Sequence, residues 1–537
     1  MPDNKVLKLE MPGNEVFRLN GAFPRGASRR EVMNFLLAAG VSISAAGTFA
    51  GTAQAETPRR GGRIRVACNQ NSSGESLDPA RSFTANDWSR VTMFYNTLTR
   101  IDENLTPQLE LAEDISSTER ATVWNIKLRR DVRFHDGSPL TAADVVYSLQ
   151  RHKDAAVRSG ARVLVEPMVE ITETGAHEVR IRLSGPDVGL PSTLGVLNTA
   201  IVKAGTTDFR TANGTGPYKC REFEPGVRSI AVRNEEYFKS GKPFLDEIEV
   251  IGITDEPARV NALLAGDVHF VALINARSAQ RIKSAPNAKL FETQAGAFHS
   301  LAISRDHAPG ANSDFVLSVK HMLNREQIRR AVYRNYAIMG NDQPVPPSSA
   351  FYDPSLPQRP YDLDKARFHL RRSGFANQTL PIFVSPAAAN SEEIAQILQQ
   401  TGREVGVTFN LQRIPADSYW SNTWMKQPIF FGSNSPKASV DISLSFWFHS
   451  RSPYNESAFR NERFDALLIN ARAEADINKR NEMYSEMQRI IHESSGTCIP
   501  VFYTFLDAHV SNLKGLRPIP TGSMMGWNYA ENIWLEQ

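Results

Sequence analysis

Residues 124–151 read W-N-I-K-L-R-R-D-V-R-F-H-D-G-S-P-L-T-A-A-D-V-V-Y-S-L-Q-R. Trp124, Ile126 and Leu128 alternate with Asn125, Lys127 and Arg129, the period of a strand with one buried face. Val132 and Phe134 resume the alternation and predict a second strand. Asp136-Gly137 then supplies turn chemistry, because glycine adopts positive φ without a Cβ penalty. Thr141 and Asp144 have capping spacing for a helix whose inner face holds Val145 and Leu149. The stretch contains no nucleophile–base pair and no metal-ligand spacing. His135 and Asp136 read as residues that stabilise the turn rather than as ligand contacts.

This stretch resembles the signature of the family-5 extracellular solute-binding proteins, the peptide- and nickel-type receptors of ABC importers. Their pattern L-R-x-x-V-x-F-H-D-G-x-P-L-T-A-x-D-V is matched at nearly every position. Residues 213–219, N-G-T-G-P-Y-K, and 232–250, V-R-N-E-E-Y-F-K-S-G-K-P-F-L-D-E-I-E-V, resemble two further motifs of that family. Residues 255–271 resemble its A-L-x-x-G-x-x-D unit, with His269 in place of the Asp. Met322-Leu323-Asn324-Arg325 stands where the family has A-I-D-R. Residues 361–375 are similar to its Y-D-P-x-K-A…A-G-F helix. The resemblance runs from about residue 62 to 506, with gaps near 270–300 and 425–460.

The chain has 537 residues, too many for one hydrophobic core, so two or three domains are expected. Its 41% hydrophobic and 22% charged content is that of a globular protein. Formal net charge is +3, and it falls to +1 beyond residue 55. That balance gives no reason to expect nucleic acid or an anionic membrane as partner.

Ser28-Arg29-Arg30 precedes an apolar run of small residues from Val32 to Ala50, and Ala53-Gln54-Ala55 fits an A-x-A cleavage site. This is similar to a twin-arginine export signal, with cleavage after Ala55 and a Gram-negative-type periplasmic destination. No later stretch has the ~18 apolar residues of a spanning helix. Three cysteines, Cys68, Cys220 and Cys498, allow at most one internal disulfide.

Elsewhere local signals dominate. Residues 64–66 open a strand, and 69–78 are a polar loop. Leu77-Asp78-Pro79 with Phe83-Thr84 resembles the family's first ligand-side loop. A helix running into a strand is expected over 91–101. Gly214 and Gly216 lack the rest of a phosphate loop. Asn324 with Gln327, and Asn390 with Glu393, have capping spacing. Gly266, Gly374 and Gly406 read as helix stops. Met483, Met487, Ile490 and Ile491 form a core stripe rather than a methionine-rich metal site. Residues 344–347, P-V-P-P, form a loop or linker.

The resemblance implies an α/β, two-lobed periplasmic-binding-protein fold, with a subdomain inserted in the first lobe and the ligand cleft between lobes. Residues 1–55 would be the signal peptide. Lobe I would comprise 56–95, 200–294 and 500–537; the insert, 96–199; lobe II, 295–499. Strand crossings near Phe298 and Pro500 would form the hinge.

At residues 441–459, D-I-S-L-S-F-W-F-H-S-R-S-P-Y-N-E-S-A-F, the family has a strand ending in Trp. In peptide receptors an Asp follows and pairs with the peptide ammonium. Here Phe448, His449, Ser450 and Arg451 follow Trp447, and no carboxylate occurs before Glu456. An arginine there would favour a carboxylate or phosphate on the ligand. A solvated Arg451 in a shifted register is the alternative. Thr84, Phe298, Trp447, His449 and Arg451 are the expected ligand-binding residues. Trp420, Trp424, Phe446 and Trp447 are candidates for an apolar floor. His449, His299 and His307 show no ligating spacing, so no metal and no cofactor is expected.

The expected function is a periplasmic receptor that captures a small polar solute by lobe closure and delivers it to an ABC permease. The solute would be peptide-like, or an anionic peptide, opine or sugar conjugate. The receptor would act as a monomer. The rivals are a secreted hydrolase and a chaperone-like periplasmic binder. Against an enzyme, no G-x-S-x-G, H-E-x-x-H or Cys–His motif occurs. Glu235-Glu236 and Glu392-Glu393 are sequence neighbours, not a glycosidase pair.

Overall fold

A computed structural model describes residues 8–10, 16–18 and 58–536 of the chain. The chain divides into two compact units, Met1–Arg59 and Arg60–Gln537. In the first, Lys8–Glu10 pairs antiparallel with Val16–Arg18. The export-signal reading of residues 28–55 lies outside the described residues.

The second unit is built on a twelve-stranded sheet. Its two longest strands, Ala288–Ile303 and Val501–Val510, pair antiparallel at its centre. On one side Glu247–Gly252, Arg63–Cys68 and Phe270–Val271 run parallel. On the other, Ile429–Asn434, Thr379–Val384 and Thr408–Arg413 run parallel. Asn434 lies opposite Phe298, and Val271 lies opposite Ala508 with Phe270 opposite His509. Both parallel sets therefore point their carboxyl ends at the middle of the two long strands. There the register breaks, between Gln294 and Phe298. Ligands of open α/β sheets bind outside the carboxyl ends of strands, so this topology aims two sets of loops at one place.

Separate apolar cores flank that line. Ile64, Phe94, Tyr218, Phe270 and Tyr529 belong to one; Leu301, Phe315, Ile382, Phe409 and Phe431 belong to another. Ile126, Phe134, Val145 and Ile181 belong to a third, under a four-stranded sheet of Ala112–Thr118, Val123–Leu128, Glu178–Leu183 and Met168–Gly175.

The signature stretch lies in that third core. Val123–Leu128 is a strand and Ala142–Gln150 a helix. The Asp144 carboxylate accepts from the Thr141 N–H and hydroxyl, each at 2.8 Å, and from the Ala204 N–H at 2.8 Å. Val132 and Phe134 do not form the expected second strand; only an isolated bridge links Arg133 and Pro139. The chain instead turns back at once, with the Phe134 N–H on the Ser138 carbonyl and the Gly137 N–H on the Phe134 carbonyl, both 2.8 Å. The alternation there records burial, not pairing.

Gly137 has φ +86°. His135 Nε2–H donates to the Gly216 carbonyl at 3.0 Å, and Asp136 accepts from Ser138, Lys203 and Asn213. A Cβ at Gly214 or Gly216 would stand 2.0 Å from the Phe94 carbonyl oxygen or 2.4 Å from that of Met93. These glycines serve close packing.

Other local expectations fare unevenly. The helix expected from residue 91 begins earlier, as Ala85–Phe94, because Thr84 and Asp87 cap it reciprocally. Asn324 caps Arg325–Ala331 through the Gln327 N–H at 3.0 Å. Asn390 does not cap Ser391–Val405 with its side chain; it sits in the left-handed region at φ +61°. All three cysteines are free thiols.

Candidate functional site

The strand Ile429–Asn434 ends beside Phe298, at the register break. Residues 435–439 then leave the sheet, and Ser439 caps the helix Val440–Phe448 by accepting from the Ile442 N–H at 3.2 Å. This is a helix where the resemblance implied a strand ending in Trp447. Ile442, Leu444 and Phe446 alternate as a strand would, but Leu444, Trp447 and Phe448 are the helical spacing that reaches the core.

The helix sets up an aromatic wall. Phe446 stacks on Tyr454 at 4.1 Å between centroids and meets Trp447 edge-on at 4.6 Å. Tyr454 lies 6.4 Å from Trp424, which lies 5.8 Å from Trp420. All four aromatics proposed as a floor are thus brought together, with Tyr454 as the link that sequence reading did not supply.

Lys437 stands over this wall, a residue that sequence reading missed. Its Nζ lies 4.3 Å from the Phe446 centroid and 4.7 Å from that of Trp447. Nζ donates to Ser435 Oγ at 3.2 Å. Among the described residues no carboxylate forms an ion pair with it. Burial pushes its pKa down to about 8. The available signal was a lone lysine in the small-residue segment S-N-S-P-K-A-S.

Trp447 is 9% exposed, and its indole N–H is buried with no acceptor among the described residues. Asn434 donates to Ser300 Oγ at 3.0 Å, while its Oδ1 is buried and unpaired. Glu456, the first carboxylate after Trp447, is spent elsewhere. It accepts from Trp424 Nε1 at 2.8 Å and from the Ser300 hydroxyl. It lies over Gly432, where a Cβ would stand 1.8 Å from its Oε1. Burial raises its pKa.

Of the expected site residues, Phe298 and Trp447 share one apolar cluster. Phe298 is 1% exposed and meets Phe502 edge-on at 5.9 Å. His449 follows the helix, and its Nδ1 accepts from the Arg451 N–H at 3.1 Å. The Arg451 side chain is exposed and makes no ion pair among the described residues. Thr84 caps the helix Ala85–Phe94, which packs into the first core and not with Trp447; its Oγ1 accepts from the Asp87 N–H at 3.1 Å, and the adjacent Phe83 is 72% exposed. His299 lies 2.7 Å from the Tyr333 hydroxyl and stacks on Tyr503; burial lowers its pKa to about 4. Among the described residues no three His, Cys, Asp or Glu side chains gather as a metal site.

A second concavity, of about 680 Å³, lies between residues 75–81 and 147–157. Of its charges, Arg151 makes a bidentate pair with Asp78 at 2.8 and 2.7 Å and lies over Phe209, and Glu75 pairs with Arg90, while Arg81 and Asp154 make no ion pair among the described residues.

Residues 106–455 match the family described as bacterial extracellular solute-binding proteins, family 5, middle. The glutathione-binding protein GsiB of Escherichia coli K12 is 24% identical over 466 residues, 83% of this chain and 90% of that protein. The fold is similar to that of the periplasmic binding protein DppA of Helicobacter pylori in complex with peptide STSA. The TM-score is 0.77, at 21% identity, covering 89% of this chain and 99% of that one. It is similar also to AgaA of Agrobacterium tumefaciens in complex with agropinic acid, with TM-score 0.77, 20% identity, and 89% and 99% covered.

Proposed function

Because the chain belongs to the family-5 bacterial extracellular solute-binding proteins, non-enzymatic substrate-binding components of ABC transporters, we propose that it captures a small polar solute between two lobes and delivers it to a membrane permease. The observation that carries this reading is the convergence of both parallel strand sets on the register break in Ala288–Ile303. Two long strands crossing between two cores suit a hinge, and loops from both sides would close on a solute held there. The relatives bind glutathione, peptide STSA and agropinic acid, which supports a peptide-, opine- or conjugate-like solute.

In this reading 56–95, 200–294 and 500–537 form lobe I, 96–199 an insert, and 295–499 lobe II, a partition supported by the separate cores. The aromatic wall with Trp447, His449 and Arg451 would face the solute from lobe II; Phe298 would support it from beneath. The Phe83-Thr84 corner would face it from lobe I. The chain would be exported through a twin-arginine signal, cleaved after Ala55, and would act as a monomer in the periplasm.

The test is a thermal-shift screen of residues 56–537 against small metabolites. A receptor gains RT ln(1 + [L]/Kd), about 2.7 kcal/mol at 100-fold Kd. A hit that is bound and chemically unchanged supports the reading; turnover of the hit, or no hit across a broad collection, overturns it. Separately, changing Arg29 and Arg30 to Lys should hold precursor in the cytoplasm; normal export of that variant would mark an ordinary secretory signal.

A further inference from the structure

We propose that Lys437, which stands over the Trp447 indole, is the subsite that reads an anionic group on the solute, a carboxylate or phosphate. This deepens the receptor reading and rests on it.

Three observations converge. First, Lys437 is a half-buried ammonium without a carboxylate partner; its hydrogen bond goes to one hydroxyl, Ser435 Oγ. A desolvated charge left unpaired is costly, and such groups are partnered in stable proteins. Second, Trp447 is more than nine-tenths buried, and its N–H has no acceptor. Nζ lies 4.7 Å from the centroid of that same indole. An ammonium held only by ring faces and one hydroxyl, over an indole whose N–H also lacks an acceptor, defines the complement: an anionic oxygen. Third, the segment that carries Lys437 leaves the sheet at Asn434, opposite Phe298, on the line where the strand ends converge.

Nearby carboxylates do not supply the missing partner. Asp441 is held by Arg472 at 3.0 Å, and Glu456 by Trp424, Ser300 and Asn434. Arg451, the basic residue that the sequence favours for this role, has its side chain exposed. An exposed guanidinium discriminates weakly because water screens it.

The probes are glutathione, agropinic acid and peptide STSA, followed by a broad metabolite collection, in thermal shift and then calorimetric titration. Every compound that stabilises the wild type should carry a carboxylate or phosphate. For the tightest carboxylate binder, the matching carboxamide should bind at least about 30-fold more weakly. Lys437→Met should weaken the acid by at least ~30-fold and leave the carboxamide unchanged, so that discrimination vanishes. Lys437→Arg should stay within about tenfold of wild type, because the charge remains. Without solute, the melting temperature of Lys437→Met should be unchanged or raised; should that variant misfold, Lys437→Gln takes its place. Three results overturn the proposal: Lys437→Met keeping its preference for the acid, neutral or purely cationic compounds binding best, or Arg451→Ala being the variant that loses the preference. If nothing stabilises the wild type, the receptor reading fails first and the subsite falls with it, a result distinct from binding that ignores Lys437.

Discussion

An ammonium that titrates near pH 8 holds an anion only while it keeps its proton. Burial alone lowers Lys437 to about 8, and the ring faces of Phe446 and Trp447 surround it. Affinity for the tightest carboxylate probe should therefore fall as pH rises above about 8. A bound carboxylate favours the charged amine, so the loss should spread upward from there. Lys437→Arg should show no such decline up to pH 10, because guanidinium stays protonated. Calorimetric titration from pH 7 to 10 checks this; a flat wild-type profile would contradict it. Gly137 argues differently. Its φ of +86° lies in the left-handed region, and a Cβ there would meet nothing within 4 Å. The penalty for Gly137→Val is thus conformational, more than about 1 kcal/mol. The melting temperature should drop with affinity unchanged, since the residue lies in the scaffold turn. A loss of affinity at constant stability would place that turn in the binding site.

At the scale of elements, the junction beside the second long strand is held by one carboxylate. Asp342 is fully buried and accepts from Arg325 at 2.8 and 2.7 Å, from Arg359 at 3.0 Å, and from the Ile499 N–H at 3.1 Å. Burial pushes its pKa up, but Arg325, Lys320 and Arg359 more than offset this and hold it at about 2. A lowered folded-state pKa contributes stability above the ordinary carboxylate value, and that stability is lost as pH falls toward 2. Asp342→Ala leaves three cations facing one another and should cost ~3–5 kcal/mol in urea unfolding at pH 7. The wild-type advantage should shrink between pH 4 and 2; a variant as stable as wild type at pH 7 would refute the role. Such a network was not legible in the sequence, because its members, from Lys320 to Ile499, are up to 179 positions apart and only the fold assembles them. What was legible is what the chain encodes locally: the Val123–Leu128 alternation, the Thr141–Asp144 cap, the stops at Gly266 and Gly374. Local signals misled where one pattern serves two structures. Residues 132–134 alternate because they are buried, and residues 442–446 alternate inside a helix that Ser439 starts. Trp447 was singled out through the family resemblance. Lys437 was not, because lacking a partner is a tertiary property.

On the scale of the whole molecule, the two lobes proposed above would also touch away from the crossing strands. Arg277 meets Glu393 at 3.4 Å, but both are well exposed, and such a pair contributes under about 1 kcal/mol. The other contact is better buried. The Val188 N–H donates to the Arg472 carbonyl at 2.9 Å, and Arg472 pairs with Asp441 at 3.0 Å. Asp187 joins this group: burial first, and then Asp441, raise its pKa to about 6, against the Gly189 N–H and Arg472. Burial raises the Asp441 pKa as well, against Arg472, Ser445 and Arg480. For a carboxyl whose pKa is raised in the contact, the contact is most favourable with Asp187 protonated and weakens as pH rises through about 6. Above that pH Asp187 would oppose the proposed closure by an amount of order 1–3 kcal/mol. Asp187→Asn keeps the shape and the oxygen that accepts from the Gly189 N–H at 2.7 Å, but removes the charge. Without solute, the variant should populate the closed form more than wild type at pH 7, with a smaller radius of gyration in X-ray scattering. Near pH 4, where wild type is itself protonated, the two should coincide. Because a pre-closed receptor spends less binding energy on closing, the variant's affinity at pH 7 should rise, by up to roughly tenfold. Identical scattering and affinity for both proteins at pH 7 would show that Asp187 does not bear on closure, and that the crossing strands and the solute alone set the equilibrium.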